Sequence, residues 1–292
     1  MTITRVGFIG LGNMGAPMAA HLADAGFQLT VADTAPGVVE GFVAQHPGAI
    51  AAAGPQSFAR VEALILMLPT SEIVEDVLEG DQVAAALPPG GLVIDMSSSE
   101  PLRTRQLAAR LHASGLSMLD APVSGGVRGA RAASLSVLAG GSEDDLTRAT
   151  PMLTAMAAVI IRVGDIGSGH AAKALNNLVS AATISVTVEA LALAQSFGIS
   201  ADTMTQVLNS SSGRSNTSEN KVAQFMTSGR FDSGFSLQLM AKDVGLALGL
   251  AQALDRPAEV AGHVADQWRR IAGEVSPATD HTQIYTLLGA TP

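Results

Sequence analysis

The chain has 292 residues, of which 47% are apolar and 15% charged, with a formal net charge of −9. That length suits two domains with a sizeable core, and the acidic balance with only 3% aromatic residues argues against a nucleic-acid surface built on charge or base stacking. There is no cysteine, which excludes disulfides, thiol catalysis and thiolate metal sites, and no two of the six histidines lie three or four residues apart, so no metal centre is expected. No signal-peptide pattern opens the chain, and no uninterrupted apolar run approaches about 18 residues, so the expectation is a cytoplasmic protein without a membrane span.

Residues 5–9 read as a buried strand, followed by a helix that Gly26 stops and a second strand over 28–32 that ends at Asp33. The turn between the first strand and the helix is Gly10-Leu11-Gly12-Asn13-Met14-Gly15, a G-x-G-x-x-G inside a β-α-β unit. Gly10 permits the tight turn, Gly12 lets a pyrophosphate approach the backbone, and Gly15 lets the helix pack close to the strand, with the helix N-terminus facing the anion. This predicts a dinucleotide site formed by Gly10, Leu11, Gly12, Asn13, Met14 and Gly15. Asp33, 18 residues after Gly15, is the candidate partner of the adenosine ribose hydroxyls. A carboxylate there repels a 2′-phosphate, and Thr34 stands where a phosphate-binding arginine would be sought, so NAD is expected over NADP. Capping of the next helix is the other use Asp33 could have.

The alternation continues with strands over 63–67, 92–94, 117–119, 135–139 and 158–162, and helices over 100–114 and 143–156. Parallel sheets of this kind bind ligands outside the carboxyl ends of their strands. Leu68 and Pro69, Ser97, and the run Asp120-Ala121-Pro122-Val123-Ser124-Gly125-Gly126 all follow predicted strands. Leu68, Pro69 and Ser97 are expected to line the cofactor. Ser124, Gly125 and Gly126 can offer a hydroxyl and successive N–H groups to a carboxylate. Turn formation is the plainer use of these same residues.

After Gly167 the texture becomes helical, with segments predicted over 169–197, 201–208, 220–227, 237–254 and 258–271 and a polar connection over 209–216. The expected domains are therefore 1–165, an α/β Rossmann-type dinucleotide-binding domain, and 166–292, an all-α domain opened by the helix 169–197. That helix is apolar nearly all round, which fits burial between domains or subunits and a homodimer or homotetramer. Lys173 and Asn177 share one of its faces, with Gly169 one turn earlier and Ser180 about two turns later. A cation in such apolar surroundings, in a chain with no cysteine and no paired histidine near a motif, makes Lys173 the candidate for proton transfer.

With Lys242-Asp243 added, the stretches 10–15, 120–126 and 167–177 stand in an order that resembles the β-hydroxyacid dehydrogenase family, which includes 3-hydroxyisobutyrate dehydrogenases and tartronate semialdehyde reductases. The resemblance implies a Rossmann domain, a long linking helix and an all-helical C-terminal domain. It implies hydride transfer between NAD and the β-hydroxyl carbon of a small acid, 3-hydroxyisobutyrate-, serine- or glycerate-like. On this resemblance Lys173 matches the catalytic lysine and Asn177 a substrate-holding asparagine. Ser124, Gly125 and Gly126 match the substrate-carboxylate segment, and Lys242 matches a lysine at the cofactor and substrate end. One departure concerns the loop Gly213-Arg214, which is followed by Ser215-Asn216-Thr217-Ser218 where mitochondrial-type members carry an aromatic residue. Such a loop suits a hydrophilic substrate or simple solvation. The alternatives are an NADPH-dependent reductase of a short semialdehyde acid (glyoxylate, succinic or tartronate semialdehyde) and a non-catalytic NAD-binding module. Lys173 itself counts against an imine reductase.

Overall fold

The structure is a computed structural model and describes residues 3–291. Two compact units emerge, Met1–Lys173 and Ala174–Pro292. The expected boundary at 165 falls eight residues earlier, because helix α8, Ser168–Phe197, begins inside the first unit.

In the first unit nine strands among the described residues form one sheet: β1 (Arg5–Ile9), β2 (Gln28–Ala32), β3 (Ile50–Ala51), β4 (Ala63–Leu66), β5 (Leu92–Asp95), β6 (Ser117–Asp120), β7 (Val123–Ser124), β8 (Leu135–Gly140) and β9 (Ala157–Gly164). The order is β3-β2-β1-β4-β5-β6-β8-β7, with β9 also paired to β8. Strands β1 to β6 run parallel; β8 meets β6 and β7 antiparallel and β9 parallel. The helices are α1 (Gly15–Asp24), α2 (Val38–Gln45), α3 (Ser71–Glu75), α4 (Val83–Ala86), α5 (Pro101–Ala113), α6 (Gly126–Arg131) and α7 (Glu143–Met156).

The apolar strand runs are explained by burial on both sheet faces. Successive residues point to opposite faces. Phe8, Ala63, Ile65, Leu92 and Ile94 join a core with Met18 and Leu22 of α1 and Met152 and Leu153 of α7. Their neighbours Ile9, Leu64, Leu66 and Val93 join a second core with Leu107 and Leu111 of α5. The strand order reverses between β1 and β4. There the carboxyl end of β1 delivers Gly10 beside Met67 and Leu68.

The second unit is helical: the body of α8, then α9 (Ala201–Asn209), α10 (Asn216–Asn220), α11 (Leu237–Ala253), α12 (Glu259–Gly273) and α13 (Ile284–Leu287). Ala181, Ile184, Val188 and Leu191 of α8 form an i, i+3, i+7, i+10 stripe that packs with Leu237, Met240 and Val244 of α11 and with Trp268 and Ile271 of α12. The Trp268 indole N–H donates to Ser185 Oγ at 3.0 Å, which satisfies the polar edge of the largest buried ring. By length and composition α8 could cross a membrane. The expectation from uninterrupted apolar runs missed this, because scattered serines, threonines and asparagines break each run. The stripe Ala181–Leu191 is instead the wall of a helical core.

The helix predicted over 220–227 begins earlier. Ser215 caps α10 through a reciprocal capping box with Ser218, and a wider turn, Val222–Met226, follows. A serine at the third helical position replaced the usual Glu or Gln, so the start signal was weak. The antiparallel β7 and the helices α2, α3, α4, α6 and α13 were also absent from the sequence expectation. All have eight residues or fewer, too short to show a clear period.

Candidate active site

The glycine loop after β1 is shaped by sterics that can be checked atom by atom. Gly10 has φ +98°, and a Cβ there would lie 2.3 Å from the Met67 carbonyl oxygen. A Cβ on Gly15 would lie 1.8 Å from the Gly10 carbonyl oxygen and 3.1 Å from the Phe8 ring. Gly12 is different: a Cβ would meet nothing within 4 Å, so the space beside its backbone is open. Two glycines close the turn and the third leaves room for a ligand, the arrangement a pyrophosphate requires. Leu11, Asn13 and Met14 complete the loop into α1.

Asp33 ends β2. One carboxylate oxygen accepts from Leu11 N at 2.6 Å and the other from Ala35 N at 2.7 Å. The side chain thus ties the glycine loop to the second strand. Each oxygen retains a lone pair for a ribose hydroxyl. Ser97 is fully buried, and its hydroxyl accepts the Leu68 N–H at 2.9 Å while its own N–H donates to Asp95 Oδ1 at 2.9 Å. Ser97 therefore braces the loop holding Leu68 and Pro69 from behind.

Ser124 ends β7, and Gly125 and Gly126 follow with φ +123° and +60°. Two successive positive φ values turn the backbone sharply into α6, which explains the glycine pair. Arg128 and Arg131 are exposed beyond it.

A group that sequence reasoning treated only as a strand end proves central to the first unit. Asp120 is fully buried; Oδ1 accepts from Gly167 N and Oδ2 from His170 N, both at 2.7 Å. It caps the start of α8 from a distant strand. The cradle admits only glycines: a Cβ on Gly140 would lie 2.4 Å from Asp120 Oδ1, and one on Gly169 would lie 2.2 Å from the Leu138 carbonyl oxygen. His170 extends the anchor. Thr104 Oγ1 lies 3.0 Å from the Glu100 carbonyl oxygen and shares a hydrogen bond of 2.8 Å with His170 Nδ1. Lys173 follows on the next turn and is only 8% exposed. The sequence signal for the anchor was the pairing of an acid before Ala121-Pro122 with Gly167-Ser168-Gly169. Local pattern alone does not join residues 47 positions apart.

In the second unit Asn177 Nδ2 donates to Asp243 Oδ2 at 2.6 Å, and Asp243 Oδ1 lies 3.5 Å from Lys242 Nζ. Asn177 and Asp243 are buried, while a quarter of the Lys242 side chain is exposed. The structure thus brings two predicted residues, Asn177 and Lys242, onto one carboxylate.

A two-unit protein with a glycine-loop dinucleotide domain and a helix presenting a buried lysine is a nicotinamide-dependent oxidoreductase by architecture. Residues 5–164 match the family described as the NAD binding domain of 6-phosphogluconate dehydrogenase, and residues 167–288 match that described as NAD-binding of NADP-dependent 3-hydroxyisobutyrate dehydrogenase. A probable 3-hydroxyisobutyrate dehydrogenase of Mycobacterium tuberculosis is 37% identical over 291 residues, 98% of each chain. An NAD-dependent L-serine dehydrogenase of Pseudomonas aeruginosa is 39% identical over 257 residues, 85% of this chain and 86% of that one. A solved structure of Mycobacterium tuberculosis 3-hydroxyisobutyrate dehydrogenase with L-serine superposes with a TM-score of 0.91 at 35% identity, covering 99% of this chain and 100% of that chain. The chain belongs to the β-hydroxyacid dehydrogenase family and is an NAD-linked hydroxy acid oxidoreductase.

Proposed function

We propose that the protein oxidises the β-hydroxyl of a small 3-hydroxy acid, serine-, 3-hydroxyisobutyrate- or glycerate-like, with Lys173 as general acid and base. The observation that carries this is Lys173, a lysine only 8% exposed, on a helix whose start is clamped by Asp120. The names of the two relatives and the serine in the related structure support the substrate class.

Held by the 10–15 loop and Asp33, NAD would supply the hydride acceptor for the alcohol carbon. In oxidation the neutral Lys173 Nζ takes the hydroxyl proton; in reduction the ammonium returns it to the developing alkoxide. The Ser124 hydroxyl and the N–H groups of Gly125 and Gly126 receive the substrate carboxylate. Asn177, oriented by Asp243, holds the substrate, and Lys242 supplies positive charge at the cofactor and substrate end. Asp33 favours NAD, since a 2′-phosphate would meet a carboxylate already held in place by Leu11 and Ala35. An NADP-dependent reductase of a semialdehyde acid is the second reading, favoured by the description of the family matched over 167–288.

The protein assembles as a homodimer or homotetramer in the cytoplasm on this account. Leu175, Val179, Val186, Leu193 and Phe197 form an exposed apolar stripe along α8, with Phe197 85% exposed, and a second copy would cover it. The test of the proposed chemistry is Lys173→Ala, titrated with NAD and assayed on 3-hydroxy acids. Loss of turnover with retained NAD binding is expected, and normal turnover overturns the assignment.

A further inference from the structure

The anchor at the start of α8 uses only one side of the His170 ring. The residue is fully buried, its N–H is held by Asp120 and its Nδ1 by Thr104. The other ring nitrogen, Nε2, has no hydrogen-bond partner among the described residues. A buried polar atom left this way costs stability and calls for a reason. Nε2 lies 3.7 Å from Asp95 Oδ2, beyond hydrogen-bond length.

Asp95 is itself fully buried at the end of β5 and acts as an acceptor on both oxygens: Oδ1 takes the Ser97 N–H at 2.9 Å and Oδ2 the Ser99 hydroxyl at 2.8 Å. A carboxylate oxygen with one donor keeps a lone pair for another N–H. Ser97 in turn accepts the Leu68 N–H at 2.9 Å. A chain of polar groups therefore runs from Leu68 through Ser97 and Asp95 to His170, open only at its last link. Beyond that link stands Lys173, three residues on and one helical turn away. Closing the link takes a movement of about 0.5–1 Å. The movement must come from the Asp95 side. The helix start is held by Asp120 and packed so closely that a Cβ on Gly167 would lie 2.7 Å from the Pro101 carbonyl oxygen.

We propose that His170 is a positioning residue that links the cofactor loop to Lys173: its Nε2–H bonds Asp95 Oδ2 when a nicotinamide dinucleotide loads Leu68 and Pro69, and the closed link fixes the first turn of α8. This rests on the reading of the Leu68 loop as a cofactor wall and of Lys173 as the proton-transfer residue. Nδ1 and Thr104 serve the fold, and Nε2 and Asp95 serve the reaction.

Two amides divide the ring between them. Asparagine at 170 places an amide atom where Nδ1 stands and reaches Thr104; glutamine places one where Nε2 stands and reaches Asp95. The experiment measures hydrogen exchange of the first turn of α8 in the full chain, free and with saturating NAD, beside kcat, KM and melting temperature. NAD should slow that exchange by about threefold or more in the wild type and in His170→Gln, and leave it unchanged in His170→Asn. In His170→Asn kcat should fall by about tenfold or more with KM for the acid little changed, whereas His170→Gln should keep kcat within about threefold and lose melting temperature instead. In a Lys173→Ala background His170→Asn should lower the residual rate no further, since His170 acts only through Lys173. Unchanged wild-type exchange on NAD binding, a normal kcat in His170→Asn, or equal kcat losses in the two variants overturns the inference. If neither variant folds, the wild-type exchange result decides it. Normal turnover by Lys173→Ala overturns the proton-transfer reading instead, and the exchange result then judges the link by itself.

Discussion

The two units build their polar sites from different materials. The glycine loop of the first unit is made of backbone: its shape follows from where a Cβ cannot fit, at Gly10 and Gly15, and where one meets nothing, at Gly12. The polar face of the second unit is made of side chains brought from afar. Asn177 meets Asp243 across 66 residues, and Lys221 meets Ser180 across 41 and His281 across 60. Backbone sites depend on local spacing and tolerate almost no substitution. Side-chain sites depend on tertiary packing and tolerate graded change.

The sharpest way to break that contrast is Gly15→Ala. With 1.8 Å to a carbonyl oxygen, the loop must move, and overpacking of this sort costs about 1–3 kcal/mol. NAD affinity should fall by at least tenfold by calorimetric titration, while Gly12→Ala, in open protein space, should keep the fold and lose affinity only through the ligand. A Gly15→Ala protein with unchanged NAD affinity would contradict the steric account.

Asp120→Asn probes the place where the two styles meet, a side chain that caps a helix start. The amide keeps one acceptor and turns an N–H toward a backbone N–H, leaving a buried donor unsatisfied at about 1–3 kcal/mol. Displacing the helix start by even about 1 Å would be expected to lower kcat near 10²-fold. The expected result is a lower melting temperature and a kcat loss of tens of fold, with KM for the acid changed less than threefold. Unchanged kcat in a destabilised protein would reduce Asp120 to a structural cap.

The smallest effect concerns His281. Burial, reinforced by the Lys221 charge and opposed by Asp280 and the Phe235 carbonyl, pushes its imidazole down to about 4. Its folded value lies below the ordinary value of about 6.5, so the unfolded chain binds more protons between them. The associated stability is complete above about pH 6.5 and is lost as the pH falls toward 4, amounting to at most about 3 kcal/mol. Denaturation between pH 7 and 4 should show this slope in the wild type and a clearly shallower one in His281→Gln. Parallel slopes would contradict it.

The same contrast explains what the sequence disclosed. The strands over 5–9 and 28–32, the helix 143–156 and the glycine loop were legible because period, burial and turn chemistry act within a dozen residues. Ser97 was expected to line the cofactor, but whether its hydroxyl faced a ligand or the Leu68 N–H was a tertiary matter. Asp120 stood inside a recognised motif, yet its role required knowing that β6 ends beside the start of α8. Lys221 carried no local signal, since one lysine after a capped turn looks like a solvated cation until Ser180 and His281 are seen to hold it.

The central claim is that Lys173, buried on an anchored helix, moves the proton. Its direct test is Lys173→Ala assayed for steady-state turnover on 3-hydroxy acids and for NAD binding by calorimetry. The account predicts a kcat lower by several orders of magnitude with an NAD dissociation constant within about threefold of wild type. A variant that turns over at a near-normal rate would contradict it.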